Sequence, residues 1–363
     1  MRSGFRKKWD DLDLKIESAY RKHSYRKKAK LRLKRMNGGM NVDKEYERII
    51  LPYWKKYNYK PAKYWYQIFC DADRKVDPRY IPDDLYYGEM IPYFSNSQFR
   101  RFGEDKCYHD VWFPDVTRPE TICKNIAGVY YDADMKPITF EQAVELASSY
   151  KQESLIKPSI DSGEGRLIKF FTPASATKKR IEKAFREIGA NFIMQAAVKQ
   201  HPTLAKLNPS SLNTIRVVSF FFEGKVHILS CILRVGAPNS KVDNVGAGGF
   251  ACPVLEDGRL KAKAVNRKAQ WVTENSTGVK FADIKIPEFD KVIETVRFAH
   301  KRLAHFKLIG WDMTVDTQSQ PVLIEYNTCP GANQVSCGPT FGDLTDRVLD
   351  EFFNKRTLAK AQN

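Results

Sequence analysis

The tightest constraint on the fold lies near the C-terminal end, in LIGWDMTVDTQSQPVLIEYNTCPGANQ at residues 308–334. Two apolar, β-rich runs flank the polar segment 316–320, which is the pattern of an antiparallel hairpin. Asp312 and Glu325 are thirteen positions apart, and Asn327 follows Glu325 by two. Alternate residues of a strand share a face, so Glu325 and Asn327 point the same way and the hairpin returns them beside Asp312. Three oxygen ligands on one point suit Mg²⁺, which dehydrates reluctantly and takes one or two carboxylates together with substrate phosphates. A solvated strand end is the other reading of the acidic spacing alone. Against it stands the tail of the hairpin, where Pro330 and Gly331 stop the strand just beyond the amide.

A second element is LIKPSIDSGEGRLIKFF at residues 155–171. An apolar strand end delivers Lys157, Pro158 bars continuation as helix, and residues 161–166 make a short flexible turn before the next strand. Gly163 and Gly165, next to Ser162, let backbone N–H groups come close to an oxyanion, as a phosphate-covering loop requires. An ordinary solvent turn is the alternative for this segment by itself. It is not a P-loop, because no Gly-Lys-Ser/Thr follows, and not a dinucleotide fingerprint, because no Gly-x-Gly-x-x-Gly opens a helix.

The third element spans residues 211–249, with strands expected at 214–222 and 226–235 around a Glu223-Gly224 turn. Arg216 and Arg234 each sit in an apolar β-forming run, where a guanidinium is costly without an anionic partner. A structural salt bridge accounts for either arginine singly. Two arginines with Asn244 and the Gly248-Gly249 pair in one unit read as a clamp for polyphosphate or carboxylate.

Taken in order, the lysines, the glycine-rich loop, the arginine hairpin, the Asn with its Gly-Gly pair, the Asp and the Glu-x-Asn resemble the ATP-grasp superfamily. Within it, QHPTLAKLNPSSLNTIRVV, LRVGAPNSKVDNVGAGG and IGWDMTVD are similar to the sugar-transfer associated ATP-grasp family, found with surface polysaccharide genes; the resemblance covers roughly residues 80–352. It implies that Asp312, Glu325 and Asn327 hold one or two Mg²⁺ ions, and that Lys157 meets the phosphate and adenine side of ATP. Ser162, Gly163 and Gly165 would close over the phosphates. Lys106, in Glu104-Asp105-Lys106, is similar to the lysine before the first ATP-grasp helix of D-alanyl-D-alanine ligases and is the candidate for the other ATP lysine, with Lys124 as its alternative. The apolar strand 191–198 is the implied hinge between lobes, with Gln195 and Val198 at the nucleotide; Gln195 stands where an acidic residue is common.

Arg216, Arg234 and Asn244 look like the Arg, Arg and Asn of ATP-grasp ligases that add glutamate to a peptide end. There they serve the substrate carboxylate, the acyl phosphate and the ATP phosphates. Phosphoryl transfer to a carboxylate needs positioning and neutralisation of spreading negative charge, which metal ions and fixed cations supply. His201, Asn213, Gly248 and Gly249 also match the family's phrases and stand as substrate contacts, although a His before Pro202 serves equally as a turn residue. His300, in the apolar-periodic run 289–303, reads as a packed helix residue.

At 363 residues, with 42% hydrophobic and 12% aromatic content, the chain can bury one or two sizeable cores. Its seven cysteines, Cys70, Cys107, Cys123, Cys231, Cys252, Cys329 and Cys337, contain no Cys-x-x-Cys pair, which argues against zinc and a disulfide framework and for a reducing compartment. The charged N-terminus is not a secretory signal, and no apolar run approaches the roughly 20 residues that span a bilayer. The net charge of +17 is concentrated in residues 1–36, which carry fourteen Lys/Arg against four Asp/Glu. Phe5, Trp9, Leu12, Ile16 and Tyr20 recur at three- and four-residue spacing, so residues 2–20 are expected to form an amphipathic helix with basic flanks, and residues 22–35 continue as a mostly basic stretch. This arm would rest on an anionic membrane or acidic polymer, or pack by one stripe on the body.

The expected fold is α+β: two α+β lobes clasping ATP, with a mainly helical N-terminal region. Residues 1–36 form the basic arm, 37–105 the helical domain, 106–192 the first lobe, 193–355 the second lobe and 356–363 a tail. The expected function is an ATP-dependent carboxylate–amine ligase acting through an acyl phosphate in surface polysaccharide biosynthesis. An ATP-grasp kinase is the second reading, and a nucleotide-binding assembly factor the third. Expected partners are ATP, Mg²⁺ and carboxylate and amine substrates or glycan precursors, without sequence-specific nucleic acid. The expected setting is the cytoplasm, peripheral at the inner face of the membrane through the arm.

Overall fold

Two antiparallel sheets face one another across a cleft, and the computed structural model describes residues 2–70, 76–160, 167–241, 243, 248–266 and 270–361. The first sheet has six strands in the order β3-β2-β1-β6-β4-β5. They are β1 (Thr121–Ile126), β2 (Val129–Tyr131), β3 (Pro137–Ile138), β4 (Ser154–Pro158), β5 (Lys169–Phe171) and β6 (Phe192–Ala196). Helices Phe140–Ser149 and Lys178–Ile188 cover it through a core that includes Val144, Ile181, Phe185 and Phe192. The first of these helices opens on a reciprocal cap, Thr139 with Gln142, which satisfies two of its free N-terminal N–H groups. Because β6 pairs with both β1 and β4, the first sheet runs to Ala196 rather than ending at the expected boundary of 192. The expected hinge strand is therefore a central strand of this sheet.

The second sheet has seven strands in the order β11-β10-β9-β8-β7-β12-β13. They are β7 (Thr214–Phe222), β8 (Lys225–Val235), β9 (Phe250–Pro253), β10 (Ala264–Asn266), β11 (Trp271–Val272), β12 (Leu308–Val315) and β13 (Pro321–Asn327). Strand β12 is buried at every position because its two faces serve different ends. Ile309, Trp311, Met313 and Val315 enter the larger core against helix Phe289–His300, while Asp312 turns to the cleft. His300 is a packed residue, as its periodicity requires: Nδ1 lies 2.6 Å from the Ser219 hydroxyl and Nε2 3.0 Å from the Phe306 carbonyl. Burial pulls it down to about 4, so the ring is neutral.

The N-terminal region is helical, as expected. Helix Arg2–Arg35 is a single element about 51 Å long at 1.5 Å per residue. From Arg21 onward it docks on the body: Tyr25 stacks on Tyr87 at 3.9 Å, Arg26 pairs with Asp84 at 2.6 Å, and Ala29 is buried. Leu12, Ile16 and Tyr20 of the expected stripe are instead exposed, because the preceding turns overhang the body. Two further helices contain π turns, Tyr46–Ile50 and Tyr86–Met90, each followed directly by a turn with proline at its start, Pro52 and Pro92. Proline offers no N–H to the ladder and its ring crowds the preceding turn, which widens the helix at that point. These helices bury Trp54, Trp65, Tyr66 and Tyr86 against Phe220, Phe222 and the C-terminal residues Val348, Leu349 and Phe352, so the helical region braces the second sheet. Among the described residues, no helix is long and apolar enough to cross a membrane, and all seven cysteines are free.

Candidate functional site

The hairpin pattern places the acidic residues where it should. Asp312 lies directly opposite Glu325 on β13 and opposite Arg216 on β7, and Gly310 opposite Asn327. Opposed residues of an antiparallel pair share a face, so Glu325, Asp312 and Arg216 form one rank across three strands. Arg234 stands one rank further, opposite Thr214. Gly310 allows this arrangement: a Cβ there would sit 3.3 Å from Cδ of Arg216 and 3.0 Å from Pro330.

The charges in this cluster are matched. Arg216 holds both oxygens of Asp312, through Nε to Oδ1 and Nη2 to Oδ2 at 2.9 Å. Arg234 adds Nη2 to the same Oδ2 at 2.9 Å, and its Nε lies 3.3 Å from Asp243. Thr214 ties the two strands and the following loop together, accepting from Arg234 at 3.0 and 2.6 Å and donating to Asp243 through its hydroxyl. These bonds leave Nη1 of each guanidinium without a partner among the described residues. Asp312 is fully buried, and a buried carboxylate stays charged only with such partners.

Two lysines close the cluster from the other side. Lys106 Nζ lies 3.3 Å from Glu325 Oε2, held there because the Lys106 backbone N–H donates to the Ser159 carbonyl and the Asp105 side chain caps the following turn. Lys157 arrives from β4. Burial first, and then the neighbouring Lys106 ammonium, pull it down to about 8, with Glu325 acting in the opposite sense. Burial raises the Glu325 carboxyl, but Lys106, Lys157, Arg234 and Arg216 together outweigh this and hold it below its usual range.

These groups line one cavity of about 910 Å³ between the two sheets. Its apolar wall comes from Leu155, Ile168, Phe170, Val198 and Ile324. Of the residues expected from sequence, Lys106, Lys157, Val198, Arg216, Arg234, Asp312, Glu325 and Asn327 all line it. Lys124 does not: it is fully buried and paired with Asp110 at 2.5 Å, so of these two alternatives Lys106 is the one that reaches the cleft. Ser162, Gly163, Gly165 and Asn244 lie outside the described residues.

Five expected site residues are absent from the lining, and their local bonding explains it. Gln195 donates to the Pro119 carbonyl at 3.5 Å beside its strand. The His201 ring accepts from the Thr203 N–H at 3.1 Å and caps the short helix Pro202–Ala205, which is its turn role. Asn213 is fully buried and donates to Gln200 and to the carbonyls of Leu204 and Asn208 at 2.9–3.0 Å. Gly248 (φ +100°) is a backbone turn position where, among the described residues, an added Cβ would lie 3.5 Å from Ala237, and Gly249 is buried beside it. Sequence reasoning missed Thr214, Arg180, Lys199 and Lys241, which also line the cavity. Lys241 lies over the Phe170 ring at 5.2 Å, a contact from one lobe to the other, and Arg180 over Phe171 at 5.9 Å within the first lobe; no spacing in the chain announces either.

Oxygen donors converge on the cleft without a protein cage. Among the described residues no group of three His, Cys, Asp or Glu side chains is placed to hold a metal. Two carboxylates on facing strands plus an amide fit Mg²⁺ all the same, because that ion keeps waters and takes substrate phosphates to complete its shell.

Residues 175–342 match the sugar-transfer associated ATP-grasp family. Lys106, Lys157 and the glycine-rich loop precede the matched stretch. No curated protein sequence matches the chain. Among solved structures it is similar to D-alanyl-alanine synthetase A from Vibrio cholerae, at 14% identity over 69% of this chain and 64% of that one, with a TM-score of 0.41. It is similar also to a D-cycloserine synthetase, at 14% identity over 68% and 71% of the two chains, TM-score 0.41. A third is D-alanine–D-alanine ligase from Bacillus anthracis, at 15% identity over 73% and 69%, TM-score 0.37. The chain thus spans slightly under two thirds of the Vibrio cholerae protein's length.

Proposed function

With residues 175–342 being a sugar-transfer associated ATP-grasp region, we propose that the protein is an ATP-dependent carboxylate–amine ligase that works through an acyl phosphate. The observation that carries this reading is the cluster of Lys106, Lys157, Arg216 and Arg234 around Asp312 and Glu325 at the polar end of a cleft whose other wall is apolar. The apolar wall suits an adenine ring, and the lysines suit the phosphates that follow it. Asp312, Glu325 and Asn327 are the residues that would hold Mg²⁺, which when bound neutralises phosphate charge.

The two arginines serve the second substrate. A guanidinium has five donors, and with Nε and Nη2 fixed on Asp312, Asp243 and Thr214 the remaining Nη1 groups can orient a carboxylate without losing their own position. A carboxylate oxygen of that substrate attacks the γ-phosphorus and ADP leaves. An amine then attacks the acyl carbon, phosphate leaves and the amine gives up a proton. This sequence of steps calls on no covalent nucleophile from the protein, and fixed charge does the work; among the described residues no histidine or cysteine lines the cleft. Loop 162–166 is expected to cover the phosphates and exclude water. The polysaccharide setting is supported by the description of the family alone.

Product balance tests the reading. With ATP, Mg²⁺, amino acids and uronic acids or nucleotide-linked uronic acids, a ligase releases ADP and free phosphate in equal amounts as amine is consumed. Substrate-dependent ADP without free phosphate would establish a kinase, and AMP with pyrophosphate would overturn both readings.

A further inference from the structure

The N-terminal helix Arg2–Arg35 docks on the body by a face other than the apolar stripe its sequence carries. Ser18, Lys22, Tyr25 and Ala29 form the docked face. Tyr25 stacks on Tyr87, Lys22 pairs with Glu89, and Ala29 is buried. Gly88 comes so close that an added Cβ would lie 2.7 Å from Cγ of Lys22 and 3.4 Å from the Ser18 carbonyl. At about 100° of rotation per residue these four positions occupy one arc of about 60°. Leu12, Ile16, Tyr20, Lys27, Lys30 and Lys34 occupy another arc of about 80°, centred about 150° away around the helix. All of them are exposed. Lys27, Lys30 and Lys34 have no hydrogen-bond or ion-pair partner among the described residues.

This outer face changes character along its length. It opens with two aliphatic side chains and a tyrosine ring and continues as three ammonium groups, over about 33 Å from Leu12 to Lys34 at 1.5 Å per residue. By register, none of the four acidic residues of the arm, Asp10, Asp11, Asp13 and Glu17, falls within it. A soluble polyanion would answer the lysines and leave Leu12 and Ile16 in water. A second copy of the arm would cover the apolar residues but would set fourteen Lys/Arg against fourteen more. An anionic bilayer answers both halves: aliphatic side chains and the tyrosine ring sink to the acyl boundary, while lysine stems lie along it with their ammonium groups at the lipid phosphates. One weak apolar anchor or one basic patch binds a membrane reversibly, and the two together hold a protein there.

We propose that the outer face of the arm is a membrane-docking surface for a bilayer rich in anionic phospholipid, with Leu12, Ile16 and Tyr20 inserted below the headgroups and Lys27, Lys30 and Lys34 on the lipid phosphates. The helix lies flat on the surface, and its docked face, through Tyr25 and Ala29, carries the contact to the body. This site stands apart from the cleft and does not rest on the ligase reading above.

The test is co-sedimentation of the full chain with phosphatidylcholine vesicles and with vesicles in which about one third of the lipid is phosphatidylserine. The protein is expected to bind the mixed vesicles at least about tenfold more tightly than the neutral ones, and to be released as salt is raised. L12Q/I16Q/Y20Q is expected to lose about tenfold or more in vesicle affinity, and K27E/K30E/K34E to lose most of the preference for anionic lipid. Because every changed position is exposed, both variants should keep the wild-type denaturation midpoint, which certifies their folding. Failure of the wild type to bind the mixed vesicles, equal binding to the two kinds of vesicle, or wild-type binding by either variant overturns the proposal. Capture by dextran sulfate without capture by mixed vesicles also overturns it and makes the arm a polyanion site. None of these outcomes moves the ADP and phosphate balance that tests the ligase.

Discussion

Lys106 and Glu325 stand 3.3 Å apart, one on the turn that leads into the first sheet and the other on the last strand of the second. The ion pair spans the cleft, and the carboxylate that would meet a metal is held ionised by cations from both lobes. Replacing Glu325 by Gln keeps the shape and removes the charge. Turnover of ATP is expected to fall by about 100-fold or more, in line with loss of one charge-stabilising group, while nucleotide still binds. Steady-state ADP release together with equilibrium ATP binding checks this, and wild-type turnover in E325Q would remove Glu325 from the machinery.

Asp312 differs from Glu325 in what depends on it. It is fully buried and accepts from both Arg216 and Arg234, so Asp312→Asn strands two guanidiniums. Breaking a buried pair from one side costs about 3–5 kcal/mol, and D312N should lose stability of that order in chemical denaturation. At Glu325 the wild-type carboxylate is partly exposed, so E325Q should lose much less. Equal stabilities for the two variants would contradict the assigned pairing.

Lys157 gives the site a pH dependence. In the free protein its ammonium is pulled down to about 8 by burial and by Lys106, and polyphosphate favours the charged form. Nucleotide binding should therefore take up a proton above about pH 8, with affinity falling as pH rises further. Stability runs the other way: the folded value lies below the unfolded 10.5, so the unfolded chain binds more protons in that interval and the unliganded protein gains stability as pH rises through it. Calorimetry at pH 8.5 in two buffers of different ionisation heat should show uptake in the wild type and none in K157M. Identical uptake in both would assign the proton elsewhere.

The legible part of the site is the part in which sequence spacing and strand geometry are the same thing. Asp312, Glu325 and Asn327 follow from a hairpin with period two, and Arg216 and Arg234 from charge placed in apolar strands that had to find an anion. Lys157 was marked by the strand end before Pro158. The illegible part depends on where a polar side chain spends its hydrogen bonds. Gln195, His201 and Asn213 have side chains suited to a ligand, yet their partners are Pro119, Thr203 and a ring of loop carbonyls. Nothing in their spacing distinguishes the two uses. At the level of the fold, the β7–β8 hairpin and the helix over 289–300 were plain from pattern. The short strands β1–β3 carry too few residues for periodicity to show, and the placement of β6 inside the first sheet is a tertiary pairing that no local signal encodes.

The basic arm offers a comparison within one helix. Leu12, Leu14 and Ile16 are 45%, 38% and 58% exposed, whereas Tyr25 lies flat on Tyr87 with an interplanar angle of 6°. Exchanging all three aliphatic residues for Gln should leave the denaturation midpoint nearly unmoved, as for exposed positions in general. Tyr25→Ala should cost about 1–3 kcal/mol through lost packing and stacking. Comparable losses from the two changes would mean that the first turns of the helix are held by the body after all.

Asn213 separates a structural from a catalytic role most sharply. Its amide nitrogen donates to Gln200, Leu204 and Asn208, and its own N–H donates to Gln200 at 2.9 Å, so it fastens the loop that leads into β7. Asn213→Ala removes three bonds donated by the side chain, although Gln200 Nε2 still donates to the Asn208 carbonyl and the Leu207 N–H to the Leu204 carbonyl, so the cost is about 0.5–1.5 kcal/mol for each bond lost. The next residue, Thr214, is the one that positions Arg234. The variant should therefore show a lowered unfolding free energy, with KM for ATP and the pH dependence of turnover unchanged in the fraction that remains folded. A wild-type denaturation curve combined with a raised KM would instead place Asn213 in contact with substrate and return it to the role its resemblance implied.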